Sequence, residues 1–121
     1  MVNVSIHDKT LDLEMEGIDK LWTLRSHLEI PLTNVRQIRQ DREQTQRWWS
    51  GLRAPGTRLP GFIKAGTFYQ DGKRIFYDVH NPDNAVIIDL ADDRYNELVV
   101  EVENPTAVIT QVQTALETRS I

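Results

Sequence analysis

The sequence predicts a mainly β single domain over residues 1–121: a seven-stranded antiparallel barrel or sandwich capped by a C-terminal helix. Three observations predict it. Apolar and polar side chains alternate from Val2 to Glu16. Strand-like runs separated by short turn signals follow one another over residues 64–102. After Asn104-Pro105 the apolar period lengthens to that of a helix. A chain of 121 residues suits one domain with one real core, hiding roughly two-thirds of its unfolded surface.

The elements follow in order. Val2, Val4 and Ile6 alternate with Asn3, Ser5 and His7, and Leu11, Leu13 and Met15 alternate with Asp12, Glu14 and Glu16. Two strands with one buried face each, joined through the turn Asp8-Lys9-Thr10, read as a hairpin. Gly17 breaks the alternation, and Ile18, Leu21 and Trp22 fit a short helix over residues 18–26, with a continued strand as the rival reading. Residues 28–39 read as a third strand with an irregularity at Pro31, because proline cannot donate to a ladder. Residues 40–62 have no clean period and contain Gly51, Pro55, Gly56, Pro60 and Gly61. Connections of that length are uncommon in compact domains and are usually functional or mobile.

Beyond that connection the signals are regular. Residues 64–70 and 73–80 flank Asp71-Gly72, a two-residue hairpin turn. Asn81-Pro82-Asp83-Asn84 and Ala91-Asp92-Asp93-Arg94 are further turns around the apolar run 85–90 and the last strand, 95–102. Consecutive strands with short links predict an antiparallel meander. Asn104 suits an N-cap and Pro105 the first helical position. Val108, Ile109, Val112, Ala115 and Leu116 then form one apolar face, which needs a hydrophobic surface to cover.

Several stretches resemble bacterial pleckstrin-homology-like domains of uncharacterised function. "LEIPLTNVRQI" is similar to a strand, Ile-Pro-Leu, and a strand carrying a basic residue. "RLPGFIKAGTFYQDGKRIFYDVHNPDNAVIIDL" is similar to their aromatic-hairpin stretch, and "ELVVEVENPTAVITQVQTAL" to their closing strand, cap and final helix. The similarity covers residues 28–116. It implies the barrel-plus-helix fold and a scaffold for protein contact or self-association, with no chemistry to transfer. Lipid-binding relatives place basic residues on the loop joining the first two strands. Here that loop is Asp8-Lys9-Thr10, so phosphoinositide binding is not carried over.

Charge is distributed unevenly. The net charge is −4, yet residues 36–64 carry +5 through Arg36, Arg39, Arg42, Arg47, Arg53, Arg58 and Lys64, leaving −9 elsewhere. That remainder repels a polyanion, so nucleic acid is not expected, whereas a second copy of the chain complements the basic stripe. There is no cysteine, no targeting segment and no apolar run near the ~18 residues that cross a bilayer. A cytoplasmic protein without disulfides is expected.

The candidate binding residues are Arg47, Trp48, Trp49, Arg53 and Arg58. Adjacent indoles flanked by guanidinium groups are hot-spot chemistry. The competing reading folds the tryptophans back as a lid over the barrel mouth. His7, His27 and His80 fall on separate expected elements without metal-motif spacing, and Asp78, His80 and Asp83 read more simply as a surface cluster than as ligands. Asp12, Glu14 and Glu16 have the period of a solvated strand face. No nucleophile elbow or phosphate loop is present. The sequence therefore points to a non-enzymatic interaction domain without catalytic, cofactor or metal residues, binding a protein partner or itself through residues 40–62. The alternative is a small-ligand or anion-binding barrel using the same Arg/Trp loop.

Overall fold

The computed structural model describes residues 2–15, 27–44, 64–70, 72–79 and 81–119. β1 (Val2–His7) and β2 (Thr10–Met15) pair from Val2↔Met15 to His7↔Thr10. Their turn is Asp8-Lys9, both in the left-handed region with φ of 48° and 66°. A two-residue turn with both positions left-handed matches the twist of the strands it joins. β3 (His27–Pro31) pairs antiparallel with β2 and completes a three-stranded sheet in the order β1-β2-β3. Leu11, Leu13, Met15, Leu28 and Ile30 are buried on one face of it, while His7, Glu14, His27 and Glu29 are exposed on the other.

The single strand expected over residues 28–39 is two strands in two sheets. After Pro31 the chain makes one 3-10 turn, Leu32–Asn34, and continues as β4 (Val35–Arg39). The Leu32 N–H donates to the Lys9 carbonyl at 2.9 Å, outside any ladder, and the Leu32 side chain drops into the core. Proline removes one ladder donor at this point, and the turn redirects the chain to the second sheet.

That sheet contains β4, β5 (Lys64–Gln70), β6 (Lys73–Val79), β7 (Ala85–Leu90) and β8 (Glu97–Glu101) in the order β4-β7-β8-β6-β5. The β5–β6 hairpin forms as expected, with Gly72 at φ +77°. The expected antiparallel meander does not: β8 lies between β6 and β7, parallel to β6. The reason lies in the arch at 81–84. Asn81 Oδ1 accepts from the Asp83 N–H at 3.0 Å and caps the 3-10 turn Pro82–Asn84. The Glu101 carboxylate then accepts from the Asn81 N–H at 3.0 Å, and the Val102 N–H donates to the Asn84 carbonyl at 3.1 Å. The arch thus closes around the end of β8. Described strands number eight in two sheets, and the architecture is not a closed barrel.

One face of the larger sheet supplies Phe76, Val86, Ile88, Leu90, Leu98 and Val100 to the main core, shared with β1–β3. Its other face buries Ile75, Tyr77, Val79, Ala85, Ile87 and Val99, with Phe68 edge-on to Tyr77 at 5.2 Å. The C-terminal helix (Pro105–Arg119) starts where expected: Asn104 Oδ1 accepts from the Ala107 N–H at 3.1 Å. Val112 is buried, and Val108, Ile109, Ala115 and Leu116 pack beside it. The helix lies on β4, the 32–34 turn, β1 and β7. No helix among the described residues is long and apolar enough to cross a membrane. The short helix expected over residues 18–26 lies outside the described residues, as does most of the 40–62 connection. Within that connection 42–44 are helical, and the Gln44 N–H donates to Asp41 Oδ1 at 2.9 Å.

Candidate functional site

Arg47, Trp48, Trp49, Arg53 and Arg58 all lie outside the described residues. At the start of the same basic stretch, Arg36 and Arg42 are exposed, but Arg39 is committed internally. Its Nε donates to Asp89 Oδ2 at 2.9 Å, and its Nη1 donates to Gln44 Oε1 at 2.8 Å. The hydrogen bond to Asp89 raises the Arg39 pKa, partial burial opposes that, and the charges of Asp89, Glu97 and Asp41 add to the rise. Beside this pair, Lys73 Nζ donates to the buried Glu97 carboxylate at 3.0 Å. Burial, and secondarily the Glu97 charge, pushes the neighbouring Tyr77 hydroxyl well above the usual tyrosine pKa. These groups hold β4, β6, β7 and β8 together across one sheet face. Asp78, read from sequence as part of a surface cluster, is fully buried, because the strand that carries it is covered on both faces. His80 lies outside the described residues.

The open groove lies elsewhere. β3 is at the edge of its sheet and, among the described residues, pairs with β2 alone. Its outer side faces the turn that leads from β7 to β8. Between them lies a groove of about 380 Å³, lined by His27, Leu28, Glu29, Ile30, Asp93, Arg94 and Tyr95. The groove is fixed at one end by the Asn34 side-chain amide, which donates to Asp93 Oδ2 at 2.9 Å, and by the Ala91 N–H, which donates to the Asn34 carbonyl at 2.8 Å. Tyr95 is rigidly seated: its ring packs on Phe76 at 5.6 Å, its hydroxyl is 3.2 Å from Thr67 Oγ1, and the Arg74 guanidinium sits 5.5 Å from its ring centre. Arg94 is exposed.

At the same edge, the outer face of the small sheet gathers Asp12, His27 and Glu29. Their ligand-capable atoms all lie within 4.8 Å of one another. His27 Nε2 is 3.3 Å from both Asp12 Oδ1 and Glu29 Oε1, and His7 Nε2 is 4.0 Å from Asp12 Oδ2. The register explains the gathering. Asp12 stands opposite Ser5 on β1 and opposite Glu29 on β3, so His7 and His27 occupy one diagonal position on each side of it. Opposite and diagonal positions on one face are within side-chain reach. Treating the histidines as separate missed this, because eleven residues intervene between β2 and β3 and no local turn announces their pairing. The available signal was parity: Asp12, His27 and Glu29 each fall on the polar phase of an alternating run. Compared with protein-family models, curated proteins and solved structures, the chain matches none.

Proposed function

We propose that the chain is a non-enzymatic interaction domain that docks an extended segment of a protein partner along the outer edge of β3. The observation that carries this reading is a strand edge, unpaired among the described residues, opening on a formed groove. Half of an edge strand's backbone N–H and C=O groups point away from its neighbour, and they template an added strand. Pro31 lacks an N–H and limits the docking run to His27–Ile30. Tyr95, almost wholly buried, holds the 93–95 side of the groove in place, and the exposed Arg94 offers a cation for a carboxylate on the segment. A scaffold role for protein contact is also what the resemblance to bacterial pleckstrin-homology-like domains implies. The Arg47–Arg58 stretch is the rival surface, for a partner or for an anionic ligand.

Peptide display against the full chain, followed by amide shift mapping of a selected peptide, tests the reading. Shifts should centre on residues 27–31 and 93–95. Arg94→Glu should weaken binding roughly tenfold or more, the size of a charge-assisted contact, while leaving Tm unchanged. Shifts confined to residues 45–63, or binding indifferent to Arg94→Glu, would transfer the function to the rival surface.

A further inference from the structure

We infer that Asp12, His27 and Glu29 form a binding site for a divalent transition-metal ion of the zinc type. Asp12 and Glu29 are directly opposed across the β2–β3 ladder. Like charges at directly opposite positions destabilise a sheet unless a cation lies between them. The candidate cations are a protonated His27 or a metal held by a neutral one.

Geometry favours the metal. An imidazolium bridging two carboxylates through one nitrogen has a single Nε2–H to give, yet His27 Nε2 is equidistant, at 3.3 Å, from an oxygen of each. Asp12 Oδ1 is buried and, among the described residues, accepts no hydrogen bond. His27 Nε2 and Asp12 Oδ1 thus lie close together without a hydrogen bond between them, as two ligands of one ion do. Metal–nitrogen and metal–oxygen bonds of ~2.0–2.1 Å at tetrahedral angles place neighbouring donors about 3.3 Å apart. Both short contacts have that length.

The donor set also selects the metal class. One imidazole nitrogen and two carboxylate oxygens suit zinc and its first-row neighbours, whereas calcium takes six to eight oxygens. Asp12 is the rigid member, with only 18% of its side chain exposed, held on the central strand of three. Glu29, with 68% of its side chain exposed, is free to rotate inward and close the remaining side of the triangle. His7 of β1 offers a further nitrogen, 4.0 Å from Asp12 Oδ2. A metal here would clip β2 to β3, two strands that the intervening residues leave far apart in sequence.

Zinc and cobalt ions themselves are the probes, added to the full chain stripped with a chelator. Equilibrium dialysis should find one zinc per chain. Cobalt should give the visible d–d absorption of a low-coordinate N/O site. At about a hundredfold above the dissociation constant, zinc should raise Tm by roughly 5–10 °C, while magnesium and calcium should leave it unchanged. His27→Ala and Glu29→Gln both change exposed side chains, so both should fold in chelator, and Glu29→Gln, which removes one of two opposed charges, should melt there no lower than the parent. Each should weaken zinc binding tenfold or more. Zinc at millimolar concentration without a Tm shift, or a shift that survives in both variants, would overturn the site.

Discussion

At the scale of single residues, the charged groups of this protein divide by the company they keep. Arg39, Asp89, Lys73 and Glu97 are paired inside one sheet face, while Asp12, His27 and Glu29 converge without saturating one another. Partial burial makes the first set structural, because a half-buried guanidinium cannot be both an anchor for β7 and a contact for a distant polyanion. Tyr77 reports on that face. Its hydroxyl pKa is raised by burial, so the folded protein retains a proton that the unfolded chain releases above pH ~10. Stability from this group is therefore complete below pH ~10 and declines as pH climbs past it. Tyr77→Phe should flatten the alkaline loss: the drop in urea midpoint between pH 9 and pH 11 should be smaller than in the parent. An equal drop would place the alkaline sensitivity on other groups.

At the scale of elements, turns decide more than strands do. The β1–β2 hairpin puts two ordinary residues, Asp8 and Lys9, into left-handed backbone. Such a conformation costs a residue with a Cβ about 1–2 kcal/mol, and glycine far less. Lys9→Gly should raise stability by up to about 1 kcal/mol, after the larger entropy that glycine loses on folding is set against the relief. Chemical denaturation of the pair of proteins measures it. The strands themselves were legible in the sequence where alternation was uninterrupted, as at Val2–His7 and Thr10–Met15, or where a hairpin turn signal introduced them, as at Lys73–Val79 after Asp71-Gly72. So was the helix, whose Asn104 cap and apolar face through Val112 lie as expected. The break at Leu32–Asn34 was not, because a residue leaving one sheet for another keeps the apolar phase of both: Ile30, Leu32 and Val35 are all buried. The triad of Asp12, His27 and Glu29 was half legible. Parity assigned each side chain to the polar face, but only register brings them within contact, and register between strands distant in sequence is set by core packing.

At the scale of the whole molecule, the helix and the small sheet share one core with the larger sheet. Removing one of them exposes the other two. A chain ending at residue 103 loses Val108, Ile109, Val112, Ala115 and Leu116 from that core. It should melt at a much lower temperature and without a sharp transition, read by near-ultraviolet circular dichroism. A truncated chain with the parent's Tm would show that the helix is dispensable. Strand order was the largest departure from the expected design. Short links between apolar runs favour pairing of neighbours, and the links 81–84 and 91–96 are both short. What separated the two topologies was polar bonding at the ends of β8: Glu101 to the Asn81 N–H on one side, and Asn96 to Arg74 on the other. Such bonds carry no periodic signature.

The position of β8 also sets a constraint in time. During synthesis β6 and β7 leave the ribosome before the strand that belongs between them. At roughly 5–20 residues per second, the stretch from the end of β7 at Leu90 to the end of β8 at Glu101 takes about 0.5–2 s to make. Through that interval two apolar ribbons joined by a short link stand ready to zip directly onto each other, an arrangement that leaves the newcomer no slot. Correct assembly therefore requires that any such premature hairpin reopen before Leu98, Val99 and Val100 can insert between the two strands.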